Sequence, residues 1–375
     1  MRLVATEHAP DGATVARDVR ASVTDAIPLL SAGATLQPAY RRALERASVG
    51  RLFIDDDLSA GIEPVAIVPP EVRANAIRAV SDVLAAASRA TMRQDGLQGT
   101  HLDGLIPVAK GLALEVQRRP AQLPTLGETA PVGDYLPAHS VDVAILGLHI
   151  AARHQRNHGW IDHDTGARRY NLNDEALVKL GVALLLIDLG KVAMPRGLLE
   201  HPGPLDPPDR ATITQHPELG ASMLPPAVSY VVQAVLRHHH ERFDGSGYPE
   251  GLAGQDIPFE ARIAAIADVF DATTSNRAYS DAAPQNEGWS AIISGAGTAF
   301  DPELVEIFRQ LIVPYPPASE VVLVDGRIAV VADVDPSDPL RPKVRAATLD
   351  GGVEELTQIP VQPVSGQHRD SGRAA

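Results

Sequence analysis

The spacing of apolar positions divides the chain into stretches of different period. Residues 1–62 carry short runs: Val15 to Val19 and Arg51 to Ile54 read as strands, separated by Gly33 and a helical run over Pro38 to Ala47. This predicts a small α/β unit that has no catalytic constellation and serves regulation or packing. After Pro69-Pro70 a helix is expected from Glu71 to about Ser88, and a second from about Leu102 to Arg118, with a connection marked by Pro120, Pro124 and Pro131. Helical signals continue to about Ile312. Beyond Pro314-Tyr315-Pro316-Pro317 the period falls to two. Val321 to Val324, the turn Asp325-Gly326 and Ile328 to Val331 form a hairpin signal, repeated around Asp350-Gly351-Gly352. The pattern predicts a mainly α protein divided as 1–62, a helical domain over 63–313, a β appendage over 314–363 and a polar, disordered tail over 364–375.

Within the helical stretch, some polar residues interrupt apolar faces. His139 precedes Val141, Val143, Ala144 and Leu146, and on its own reads as a capping or core-edge histidine. His154 and His158 have the i, i+4 spacing of a ligand pair, but Arg153, Gln155, Arg156 and Asn157 surround them and favour a solvated helix end. Trp160 to Asn173 is polar and reads as an inserted loop. Val182-Ala183-Leu184-Leu185-Leu186-Ile187 is apolar on every face, so it is buried, and Asp188 follows it directly. An isolated carboxylate there would cost several kcal/mol unless paired or metal-bound, and Lys191 is the simplest partner. His216, within Gln215-His216-Pro217-Glu218, carries little information alone.

The richest stretch runs from His238 to Pro249. Val228, Val231, Val232 and Val235 recur at helical spacing, and His239 continues that stripe, so its imidazole is expected to point inward. Adjacent imidazoles suit a transition metal. Gly245 and Gly247 permit positive φ and Pro249 extends Tyr248, which ends the helix and presents a tyrosine from a tight loop. Downstream, Phe259 to Thr274 is a helix in which Ala261, Ala264 and Ala265 allow close packing around Asp268, while Asp271 caps or pairs locally. Arg277 follows, with a guanidinium suited to phosphate or guanine, or to a surface salt bridge.

Composition narrows the chemistry. With 45% hydrophobic residues the 375-residue chain can bury a large core, and its net charge of −14 argues against nonspecific binding to nucleic acid polymers. The absence of cysteine excludes disulfides, thiolate metal sites and cysteine nucleophiles, so any metal must be held by His and carboxylates. No signal-peptide core opens the sequence and no uninterrupted apolar run reaches membrane-spanning length, so a cytoplasmic protein without membrane insertion is expected.

Taken together, His139 to Val313 resembles the HD-GYP family of metal-dependent cyclic di-GMP phosphodiesterases. The match rests on His-His-Glu with Asp244-Gly245-Ser246-Gly247-Tyr248-Pro249, then Gly251-Leu252, Ile257-Pro258, Ala261-Arg262-Ile263, Ala267-Asp268 and Phe270-Asp271-Ala272. The resemblance implies an HD-type all-helical bundle, flanked here by the N-terminal α/β unit and the C-terminal hairpins. It implies metal ligands at His139, Asp188, His216, His239, His240 and Asp268, with Asp188 bridging two metals. It places Lys191 near the phosphate, Gly247, Tyr248 and Pro249 in the substrate loop, and Arg277 on the dinucleotide. The same loop is a candidate contact for a signalling protein partner.

The family's His-Asp pair is here Ile187-Asp188. The resemblance therefore implies one intact site from Asp188, His216, His239 and His240, beside a weakened one from His139, Asp188 and Asp268. Ser280 also departs from the basic residue frequent at its position. All-N,O ligation favours iron or manganese, with zinc and nickel as further options. Two readings follow: hydrolysis of cyclic di-GMP to pGpG and on to GMP, or a degenerate receptor or scaffold that binds without turnover.

Overall fold

The computed structural model describes residues 1–363 except 23, 24, 26, 48, 65, 94, 95, 119–134, 162–166, 200, 202, 204, 276–282, 349, 351 and 357–360. The Pro-marked connection, Arg277, Ser280 and the tail expected to be disordered lie outside the described residues.

The N-terminal unit is a three-stranded antiparallel sheet in the order β1 (Arg2–Ala5), β3 (Arg51–Asp55), β2 (Thr14–Val15), packed with helix α1 (Pro38–Arg46). Pro38 opens α1 because its missing N–H would be unpaired there anyway. Val4, Val15, Leu36, Leu44 and Ile54 form this unit's own apolar cluster. Two expectations need correcting. The strand expected over Val15 to Val19 stops at Val15, because Val19 pairs only with Leu30 in an isolated bridge; and β1 was not anticipated, its four residues being too short to show alternation.

The helical body comprises α2 (Pro70–Arg93), α3 (Gly99–Leu102), α4 (Leu105–Arg118), α5 (Tyr135–His158), α6 (Asp174–Leu185), α7 (Arg196–Leu199), α8 (Pro207–Ile213), α9 (His216–Met223), α10 (Tyr230–His238), α11 (Phe259–Thr274), α12 (Gln285–Ser294) and α13 (Pro302–Leu311). The helix expected to end near Ser88 continues to Arg93, and the one expected from Leu102 is broken into α3 and α4. Within the Trp160 to Asn173 loop, β4 (Trp160–Ile161) and β5 (Arg168–Arg169) pair as a small ribbon.

α5 and α6 form the axis of the body. Every residue from Ala138 to Ala152 is buried, so α5 has no polar face over that span. A Cβ on Gly147 would fall 2.5 Å from Leu184 Cδ1, so the glycine leaves room for the tip of that leucine between the two helices. Each fully buried Leu or Phe here contributes about 1.5–3 kcal/mol. α5 is long and apolar enough to cross a membrane by length and composition, but it is the central helix of the core. α6 starts where the Asn173 side chain accepts from the Ala176 N–H, with Asp174 and Glu175 in its first turn. Its end delivers Asp188 to the centre of the body.

Beyond α13, β6 (Glu320–Leu323), β7 (Ile328–Asp333), β8 (Lys343–Ala347), β9 (Val353–Leu356) and β10 (Val361–Pro363) make one five-stranded antiparallel sheet in the order β10-β6-β7-β8-β9. The two expected hairpins are its β6-β7 and β8-β9 pairs. This sheet also meets the N-terminal unit. Leu3 pairs with Ser319, Arg2 reaches both Asp56 and Glu320, and Ile62, Ala318 and Val330 share a small apolar cluster.

Candidate metal centre

The site is assembled where the ends of α6, α9 and α10 meet the faces of α5 and α11. Asp188 follows α6, His216 opens α9, His239 caps α10, His240 follows it, His139 lies on the second turn of α5, and Asp268 lies midway along α11. All but His240 are buried, and His239 is completely so. The inward direction expected of His239 from its valine stripe is the observed one.

On one side the imidazoles of His216, His239 and His240 converge, their ligand atoms all within 4.8 Å of one another. His216 Nδ1 donates to the Ile213 carbonyl at 2.7 Å, and His239 Nδ1 to that of Leu236 at 3.0 Å. Each ring is thereby fixed with its Nε2 lone pair facing the centre. The two Nε2 atoms stand 3.3 Å apart, and His240 Nε2 is 3.1 Å from that of His216. Lone pairs so placed repel unless a cation lies between them. Burial pushes all three imidazoles toward the neutral form, His216 down to about 4. Asp188 Oδ1, 3.4 Å from His216 Nε2, is buried without a hydrogen-bond partner among the described residues. This set of three neutral imidazoles and an unpaired carboxylate oxygen fits a divalent ion.

On the other side His139 is held differently. Its Nδ1 lies 2.6 Å from Asp271 Oδ2, and its Nε2 lies 3.1 Å from Asp268 Oδ1 and 3.5 Å from Asp188 Oδ2. Although burial opposes protonation, hydrogen bonds to Asp268 and Asp271 push His139 up to about 10. Burial also acts to raise Asp188 and Asp268. It is outweighed by Lys191, then His216 and His139, at Asp188 and by the hydrogen bond from His139 at Asp268, so both stay below the usual carboxylate range. Ile187 is 1% exposed and belongs to the main core, so it offers this side no donor atom.

Lys191 stands on the short turn after Asp188 and donates to its Oδ2 at 2.6 Å. Behind it the backbone is closely packed: a Cβ on Gly190 would fall 2.0 Å from the His216 carbonyl oxygen and 2.6 Å from the Gly220 nitrogen. The Gly-Tyr-Pro loop folds over His240, with the Tyr248 ring stacked on the imidazole at 4.8 Å and 22°. Pro249 follows through a cis peptide. Gly245 has positive φ as expected, whereas Gly247 is needed for close approach, since a Cβ there would lie 2.3 Å from the Arg242 nitrogen. Burial, and then the nearby Asp268, raise the Tyr248 phenol, which remains a proton donor.

Sequence reasoning missed residues that hold these groups in place. Asp271 pairs locally as expected, accepting from Ser275 Oγ at 2.9 Å, and its other oxygen also orients His139. Glu241 accepts the Glu250 N–H at 2.8 Å and the Leu252 N–H at 3.1 Å, and so ties the loop to the histidine pair. Tyr135 stacks on His139 at 5.4 Å. The buried Arg73 and Asp142 pair, at 2.8 and 2.6 Å, joins α2 to α5 one turn from His139.

Known proteins are similar to this chain in sequence. Residues 149–304 match the HD domain family. Over 241 residues the chain is 34% identical to a cyclic di-GMP phosphodiesterase of Pseudomonas aeruginosa, an alignment covering 62% of this chain and 53% of that protein. It is 38% identical over 143 residues to the cyclic di-GMP phosphodiesterase response regulator RpfG of Xanthomonas campestris, covering 37% of this chain and 38% of the relative. It is also 38% identical over 147 residues to a 3′3′-cGAMP-specific phosphodiesterase of Vibrio cholerae, covering 38% of this chain and 28% of the relative. The aligned region thus spans about half the length of the first relative and less of the others.

Proposed function

Because the chain carries an HD domain of the HD-GYP family, we propose that it is a metal-dependent phosphodiesterase that hydrolyses a cyclic dinucleotide, cyclic di-GMP first, to the linear pGpG and onward to GMP. The observation that carries this reading is the convergence of His216, His239 and His240 on the unpaired Oδ1 of Asp188. These four residues would hold the ion, iron or manganese by preference. When bound, such an ion supplies a water of lowered pKa and neutralises charge on the phosphate.

The chain's own groups do the rest. Lys191, anchored on Asp188, turns its remaining N–H groups to a phosphate oxygen and steadies the charge that develops there. Tyr248 covers His240 and offers its phenol to the substrate from a loop that Glu241 holds rigid. Arg277 orients the nucleotide. His139 and Asp268 form the weakened second position, beside which the Lys191 ammonium supplies part of the positive charge a second ion would bring.

A second reading is favoured by one observation, the apolar Ile187 in place of a ligand: a receptor or scaffold that binds the dinucleotide, or a signalling protein at the Gly-Tyr-Pro loop, without turnover. Metal counting on anaerobically purified protein, beside a cyclic di-GMP turnover assay, separates the two. Turnover that is lost in His240→Ala together with the metal supports the enzyme. Nucleotide binding without product in metal-loaded protein supports the receptor. In either case Tyr248→Ala is expected to weaken nucleotide binding while leaving the melting temperature nearly unchanged.

A further inference from the structure

A second cluster of metal-ligating groups lies at the far end of α5, about 22 Å along the helix from His139 at 1.5 Å per residue. His154 and His158 stack at 4.8 Å and 20°, so the i, i+4 pair presents both rings to the same side. The first turn of α13 brings Glu303 to meet them. Its Oε1 lies 3.4 Å from His154 Nε2 and 3.2 Å from His158 Nδ1, and the three ligand atoms all lie within 4.8 Å of one another. Ligand atoms about 2.0–2.1 Å from a tetrahedral zinc stand roughly 3.3 Å apart, which is the separation seen here on the two edges that end at Glu303.

The geometry points to a peripheral site for a divalent transition metal, zinc by donor set, held by His154, His158 and Glu303 and clamping the C-terminal end of α5 to the N-terminal end of α13. The surroundings are built to hold these side chains. His154 packs on Phe259 at 4.6 Å, and the Glu303 backbone N–H donates to Asp301 Oδ1 at 2.9 Å, which sets the first turn of α13. The nearby Arg262 is occupied by Asp301 at 2.5 Å, which leaves Glu303 free to face the imidazoles. His158 and Glu303 are 43% and 53% exposed, so the fourth coordination position opens to solvent and a metal can enter without unfolding. Two imidazoles on one carboxylate do not both gain by protonation. The arginines around this pair had pointed to a solvated helix end, and only the tertiary approach of α13 supplies the third ligand.

The test uses the full chain without a histidine tag, in unaltered form and as His158→Ala and Glu303→Gln, each stripped and titrated with zinc against a chromophoric chelator. All three retain His216, His239 and His240, so a failure of the main centre lowers every count equally and leaves the comparison intact. The unaltered chain is expected to take up one more zinc than His158→Ala. Glu303→Gln, which keeps shape and removes charge, is expected to hold that extra zinc at least about tenfold more weakly. Equal zinc in all three chains overturns the site. An extra zinc unaffected by Glu303→Gln also overturns it, since a bare histidine pair would then account for the binding.

Discussion

Asp271 Oδ2 stands 2.6 Å from His139 Nδ1, so the ring reaches the centre of the protein already oriented by a carboxylate one helical turn beyond Asp268. A carboxylate behind a metal-facing histidine fixes its tautomer and raises its basicity. Asp271→Asn removes that charge and keeps the shape. Activity or metal affinity of the folded, metal-loaded protein is expected to fall about 10- to 100-fold. A variant with unchanged metal content and turnover would show that the pair serves packing only.

Ile187→His tests the weakened second position. An imidazole there stands beside Asp188, and metal per chain is expected to rise toward two equivalents while cyclic di-GMP turnover increases. The polar ring enters a packed core, so some stability is lost unless metal is present during folding. Should the parent already hold two metals and turn over as fast as the variant, another group fills the position and the weakened-site account is wrong.

The Arg73 and Asp142 pair is buried, with two hydrogen bonds, and burial raises the Asp142 carboxyl against the opposing pull of Arg73. Removing one partner strands the other charge. Arg73→Leu is expected to destabilise the chain by about 3–5 kcal/mol, and the double variant Arg73→Leu/Asp142→Leu by less, because no charge is left unpaired. Denaturant midpoints of the parent, single and double variants measure this. A double variant less stable than the single would assign the pair a net favourable energy.

His149 gives a pH prediction away from the metal ligands. It is buried on α5, its Nε2 has no hydrogen-bond partner among the described residues, and burial, then Arg153 and Arg156, lower it to about 4. An unfolded histidine titrates near 6.5, so between that value and about 4 the unfolded chain binds the extra proton. Stability from the neutral ring is complete above this window and is lost as pH falls through it. His149→Phe is expected to flatten part of the acid limb, up to roughly 3 kcal/mol by pH 4, relative to the parent. Parallel stability curves for the two chains over pH 4–7 would place His149 outside the titration.

The legible parts of this molecule were those with a local cause. The all-apolar run before Asp188 announced a buried helix end, and the valine stripe gave His239 its direction. The adjacent His239 and His240 pointed to the stretch where the structure brings three imidazoles together. What the sequence withheld is tertiary. Asp271 looked local until α5 brought His139 against it, and Glu303 carried no signal until α13 met His158. β1 is too short to show a period, and its pairing with β3 spans most of the N-terminal unit. The break between α3 and α4 likewise follows from packing, since Leu102 and Leu105 are both buried in the main core.

Gly190 has a consequence of a mechanical kind. Main chain rests directly on main chain there, with no side chain between the turn that carries Asp188 and the first turn of α9 that carries His216. The gap between these two ligands is therefore gauged by the backbone itself. Repacking of neighbouring side chains leaves the gauge unchanged, whereas a single methyl group at this position acts as a wedge. Such a wedge would part the carboxylate from the imidazole and unseat the ion while every ligand remained in the sequence.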